Sequence, residues 1–141
     1  DYDRPLKPRG TKAAPMIGKE IRKLGLTPDL IISSPAVRAR LTAEAVANKC
    51  EYQNEIIWND SFYFGHANEL VKAIRSVDEK YSSVMVFGHN PTWSDVAERL
   101  TGEFISMKTA DVAILSFDDK WKKLDDLKCK LINYLSPKEI K

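Results

Sequence analysis

The chain has little of what would direct it toward metals, membranes or nucleic acid. It contains two cysteines, Cys50 and Cys129, far apart, and two histidines, His66 and His89. Neither type is clustered at the spacing of a metal site, so no metal and no cofactor is expected. The cysteines read as reduced thiols of a cytoplasmic protein, with a single disulfide left open. No apolar stretch approaches the ~18 residues that a membrane-spanning helix needs. The opening residues, Asp1-Tyr2-Asp3-Arg4-Pro5, have none of the parts of a signal peptide. A formal net charge of +2 is too small to argue for a nucleic-acid or membrane-surface partner. There is no Gly-rich loop with a Walker lysine, which weakens a nucleotide-binding reading. Repeats and low-complexity tracts are also missing.

What is present suits one soluble domain over residues 1–141, at 43% apolar and 30% charged residues. The most informative stretch is Ser83 to Pro91. Val84, Met85, Val86 and Phe87 form a charge-free run that reads as a strand buried on both faces. Gly88 lets the backbone turn, Asn90 is a good N-cap, and Pro91 suits the first helical position. His89 thus sits at a strand-to-helix junction, where helix N–H groups bind anions in open α/β sheets. Taken alone, His89 is better explained as a turn or packing residue.

Periodicity organises the rest. Ala13, Ile17, Ile21 and Leu24 share one face of a helix over Thr11–Leu24, with Pro15 in its first turn and Gly25 as its stop. Leu30-Ile31-Ile32 reads as a short buried strand. Ser34 can cap, and Pro35 can start, a helix to about Lys49 that is lined by Ala39, Ala43, Val46 and Ala47. A short edge strand or extended connection follows over residues 51–57, then an aromatic loop from Trp58 to Gly65. Leu70, Val71, Ile74 and Val77 mark a helix over Ala67–Val77, with His66 as a helix-start residue. A helix over Pro91–Leu100 comes next, then a loop from Thr101 to Thr109. Asp111–Phe117 reads as a strand. Residues 127–135 read as a strand, with a helix from Trp121 as the alternative. Alternating strands and helices give an α/β class with a mostly parallel sheet.

The two junctions carry the chemistry. Arg38 lies in the first turn of the helix after Leu30-Ile31-Ile32, where a cation opposes the helix dipole at a cost of ~0.3–1 kcal/mol. A shared anion would turn that cost into a gain. As a lone arginine it reads as a solvated surface residue. If the two strands are neighbours, Arg38 and His89 open onto one sheet edge as a fixed and a titratable cation.

Several motifs resemble the histidine phosphatase superfamily, also called phosphoglycerate mutase-like. Ser33-Ser34-Pro35-Ala36-Val37-Arg38-Ala39-Arg40-Leu41-Thr42-Ala43 is similar to its Ser-Pro-x-x-Arg-Ala-x-x-Thr-Ala signature, and Gly88-His89-Asn90-Pro91 to its second histidine motif. Asp3-Arg4-Pro5-Leu6 with Gly10, and Lys108-Thr109-Ala110 before a strand, resemble its small SixA-type branch of phosphohistidine phosphatases. The resemblance covers nearly the whole chain in order. It implies a three-layer α/β/α fold and a phosphatase that works through a phosphohistidine enzyme intermediate. It makes Arg38 the phosphoryl clamp and His89 the second, phosphate-contacting histidine. Asn90 and Arg4 would contribute to substrate binding, and the pocket would hold an oxyanion such as phosphate or sulfate. Short loops between the motifs suit phosphohistidine on a protein surface; a small phosphomonoester is the alternative substrate.

The chain departs from the family pattern in two places. The family's first strand ends in Arg-His-Gly or Arg-His-Ala and carries the nucleophile, and no such motif occurs here. The expectation is that the nucleophile lies upstream of residue 1 and that the sequence is a piece lacking that strand. The strand is expected beside those ending at Ile32 and Phe87, so that these two do not pair directly. Read literally, the chain is a non-catalytic phosphate-binding module. The second departure concerns the proton-donating carboxylate of larger members, for which Asp60 is the candidate in this segment.

Overall fold

A computed structural model describes residues 2–140. The first helix, α1 (Pro8–Lys23), begins three residues earlier than its apolar spacing predicts. Pro8 takes the first helical position, where its missing N–H costs nothing. Pro15 is therefore an interior proline rather than a first-turn one. Gly25, at φ 72°, ends the segment.

Strand β1 (Leu30–Ser33) is buried throughout and leads into α2 (Val37–Lys49). The helix starts two residues later than Pro35, with Ala36 rather than Ser34 as its N-cap; Ser34 instead closes the turn before it, its Oγ accepting the Ala36 N–H at 3.2 Å. The edge strand β2 is only Ile57–Trp58. The aromatic loop contains a single helical turn, α3 (Ser61–Phe64). Helix α4 (Ala67–Arg75) opens with a capping box between His66 and Glu69, which gives His66 its structural role.

Strand β3 (Val84–Phe87) matches its predicted position. The helix after it, α5 (Thr92–Thr101), starts with Pro91 as N-cap rather than as first helical residue, and the Asn90–Pro91 peptide is cis. Asn90 caps from one step further out, its Oδ1 accepting the Ser94 N–H at 3.2 Å. Strand β4 (Val112–Phe117) pairs antiparallel with β5 (Cys129–Leu135). The region from Trp121 forms one 3₁₀ turn, not a helix. The pairing slips at Ile114/Leu115, leaving Ile132 as the extra residue on β5. That bulge moves Leu135 and Cys129 to opposite faces, which explains why β5 alternates only in part.

Helices cover both faces of the sheet. Leu30 and Ile32 of β1, with Val84 and Val86 of β3, pack on α4 and α5 through Leu70, Val71, Ile74, Val96 and Leu100. Ile31, Met85 and Phe87 point the other way, onto α2 and α1. The layers are the α/β/α arrangement expected from the motifs.

One expectation is overturned. β1 and β3 pair directly and in parallel, Leu30 with Val84 through Ser33 with Phe87. No strand separates them, because two four-residue apolar strands in register satisfy each other's inner edges. The sheet order is β2-β1-β3, with β4-β5 separate. Among the described residues, β3 therefore keeps an unpaired edge on the side away from β1, and β3 and β4 do not bond to each other. Their side chains nonetheless share the same two clusters: Met85 and Phe87 with Val112 and Ile114, and Val84 and Val86 with Leu115 and Phe117. β3 is half-buried rather than buried, as a strand open on one edge must be. No described helix is long and apolar enough to cross a membrane.

Candidate functional site

The parallel pairing of β1 and β3 ends both strands at one edge, with Ser33 opposite Phe87. The Ser34 N–H donates to the Phe87 carbonyl at 2.9 Å and carries the register into the turns. Arg38, one residue into α2, and His89, two residues beyond β3, consequently meet. An Arg38 Nη2 lies 3.4 Å from His89 Nδ1.

His89 is gripped on three sides. Its Nε2 lies 2.9 Å from Ser34 Oγ, a side chain with no exposure. The ring of Tyr63 meets it edge-on at 5.2 Å between centroids, and Tyr63 in turn contacts Tyr2 and Phe64. Burial lowers the His89 pKa below the ordinary histidine value of 6.5, and the Arg38 charge lowers it further. Near neutral pH the ring is uncharged, and only an arriving anion would favour its protonation.

Gly88 serves packing. A Cβ there would lie 1.7 Å from Trp93 Nε1. Trp93 leans across this glycine and meets Phe62 edge-on at 5.1 Å. Its buried Nε1 has no hydrogen-bond partner among the described residues.

The remaining candidates separate. Asn90 uses its side chain structurally: Nδ2 donates to the Met107 carbonyl at 2.8 Å, and Oδ1 accepts from the Ser94 hydroxyl at 3.0 Å as well as from its N–H. Beside it an open groove of about 470 Å³ runs between α5 and Phe104–Met107. Arg4 is exposed on the N-terminal loop, which reaches the start of α2 where the Tyr2 carbonyl accepts the Val37 N–H at 2.9 Å. Asp60 is exposed before α3. Cys50 and Cys129 are buried free thiols, both with raised pKa because burial disfavours the thiolate. No three His, Cys, Asp or Glu among the described residues could hold a metal. Sequence reasoning missed two parts of the site. Tyr63 was visible only as one ring in an aromatic loop, and Ser34 only as a helix cap.

Known proteins resemble this chain in sequence and in fold. The model of the histidine phosphatase superfamily (branch 1) matches residues 1–62, a span that includes Arg38. A chloroplastic Arabidopsis thaliana protein with no assigned function is 30% identical over 132 residues, 86% of this chain. The chain spans 61% of that protein's length. Among solved structures, a protein from Nakamurella multipartitia assigned as the phosphohistidine phosphatase SixA superimposes with a TM-score of 0.88 at 25% identity. That superposition covers 97% of this chain and 87% of the other. The Agrobacterium tumefaciens protein with the same assignment gives 0.82 at 29% identity, over 97% and 86%. A protein histidine phosphatase SixA in complex with tungstate shares the fold at 0.87 and 19% identity, over 100% of this chain and 89% of that one. In the signature around Arg38 and in its fold, this chain is similar to the histidine phosphatase superfamily.

Proposed function

We propose that the domain removes phosphate from phosphohistidine on a protein, with Arg38 as phosphoryl clamp and His89 as the second histidine of the site. The observation that carries this reading is the Arg38–His89 pair at the shared ends of β1 and β3, 3.4 Å apart. A guanidinium and a titratable imidazole there match the charge on the equatorial oxygens of a transferring phosphoryl group. SixA-named structural neighbours support the substrate class, and the tungstate complex of one of them supports an oxyanion in the pocket.

The nucleophile in this reading is a histidine on a further strand along the unpaired edge of β3, expected upstream of residue 1. In the first step its nitrogen attacks phosphorus, a new P–N bond forms, and the substrate's P–N bond breaks as the leaving imidazole takes up a proton. In the second step water attacks phosphorus, the enzyme's P–N bond breaks, and inorganic phosphate leaves. Arg38 neutralises charge in both steps. Protonated His89 adds a donor to the phosphoryl oxygens.

A second reading, a phosphate-binding module without turnover, is favoured by one observation. The only other histidine is His66, and it caps α4. Hydrolysis of a phosphohistidine peptide decides between them. Residues 1–141 alone should show little or no turnover. The chain extended by an N-terminal strand ending in Arg-His-Gly should turn over, and should lose that activity with His89→Ala. An extended chain that binds phosphate but never hydrolyses the peptide supports the binding module. Robust turnover by residues 1–141 would refute the proposed nucleophile.

A further inference from the structure

The hydrogen bonds around His89 assign its two ring nitrogens different tasks. Arg38 can only donate, so Nδ1, 3.4 Å from its Nη2, must present its lone pair. In a neutral imidazole the proton then resides on Nε2, which lies 2.9 Å from Ser34 Oγ. Ser34 Oγ also accepts the Ala36 N–H at 3.2 Å. A hydroxyl oxygen has two lone pairs, so it can accept from both. The serine is held firmly enough to act as a reference point. It has no exposure, its N–H is bonded to the Phe87 carbonyl, and its own carbonyl accepts from Ser33 Oγ. The charged and titratable groups against the ring are Arg38 from α2 and Tyr63 from α3.

We infer that Ser34 is a positioning residue for His89: its hydroxyl accepts the Nε2 proton, holds the neutral ring in the Nε2–H tautomer, and leaves Nδ1 as the atom that faces Arg38 and exchanges a proton with a bound anion. The catalytic meaning of this rests on the phosphatase reading above, whereas the tautomer is a property of the unliganded chain. Without an anion, Nδ1 accepts from Arg38. When a phosphoryl group takes the guanidinium's hydrogen bonds, Nδ1 gains a proton and becomes a donor to the same group. Nε2 stays on Ser34 throughout, so the ring need not flip between states.

Nitrogen-15 NMR of the histidine rings tests this directly. The chain has two histidines, and a His66→Gln variant assigns them. Above its pKa, wild-type His89 should show one protonated Nε2 and one unprotonated Nδ1. Inorganic phosphate should shift Nδ1 toward its protonated signature and leave Nε2 unchanged. Ser34→Ala should lose the single-tautomer pattern for an exchange-averaged one, and Ser34→Thr should keep it. A serine that merely caps the turn would not move these signals. An Nδ1–H tautomer in the wild type overturns the inference even if Ser34→Ala fails to fold, as does a folded Ser34→Ala with an unchanged pattern. Failure of peptide hydrolysis, by contrast, would leave the tautomer in place and count only against the phosphatase reading.

Discussion

Gly88→Ala perturbs the His89 junction without touching a polar group. Gly88 lies outside the left-handed region, so the cost of a methyl there is one of space. The new Cβ would sit 1.7 Å from Trp93 Nε1, 2.6 Å from Cδ1 and 2.8 Å from Cε2. These are atoms of a rigid ring rather than the end of a flexible chain, so Trp93 must swing away. Overpacking of this kind costs ~1–3 kcal/mol. Losing the edge-on contact with Phe62 adds ~0.5–1.5 kcal/mol. The lower chain entropy of unfolded alanine offsets ~0.4–1 kcal/mol of that. A net loss of roughly 2–3 kcal/mol should lower Tm by about 7–10 °C for a domain of this size. Thermal and urea unfolding measure it. Trp93→Leu removes the clashing ring, so adding Gly88→Ala to Trp93→Leu should cost at least ~1 kcal/mol less than adding it to the wild type. A Gly88→Ala protein within ~0.5 kcal/mol of wild type, or strictly additive mutations, would refute the packing assigned to this turn.

Three other outcomes are expected. Arg38→Ala should weaken inorganic phosphate or tungstate binding by about 10- to 100-fold in calorimetry, since charge-assisted bonds contribute ~1.5–3 kcal/mol; unchanged affinity would remove Arg38 from the site. Because the folded His89 pKa lies below 6.5, the unfolded chain takes up the proton first on acidification, so stability should fall as pH drops below about 6.5 through the folded pKa. His89→Gln should lose that component in urea melts across the same window, and a variant with the full wild-type pH dependence would assign it elsewhere. Asn90→Ala removes bonds to Ser94 and to the Met107 carbonyl, so it should cost ~1–2 kcal/mol and speed amide exchange over residues 104–107; unaltered exchange there would show that Asn90 does not hold the loop.

Much of the architecture was legible because it depends on local pattern. Leu30-Ile31-Ile32, Val84–Phe87 and the apolar face of α4 each declare their class by composition or period. Arg38 and His89 were legible as a pair because each lies at a strand-to-helix junction, Arg38 in the first turn of its helix and His89 just before its own. The pairing of β1 with β3 was not legible, since nothing within either apolar strand says which neighbour it takes. Neither was Ser34's contact with His89, made by residues 55 positions apart in the chain. A serine before proline signals a helix start whatever else its hydroxyl meets. The two-residue β2 and the 3₁₀ turn at Trp121 are set by tertiary packing, which local propensity does not encode.

The central claim is that Arg38 and His89 form one oxyanion site at the ends of β1 and β3. Titrating inorganic phosphate into the nitrogen-15-labelled chain while following both histidine rings tests it most directly. The account expects saturable shifts of His89 with a rise in its pKa, because a bound anion favours the charged ring, while His66 stays still. Phosphate that leaves His89 unmoved, or that shifts His66 alone, would contradict it.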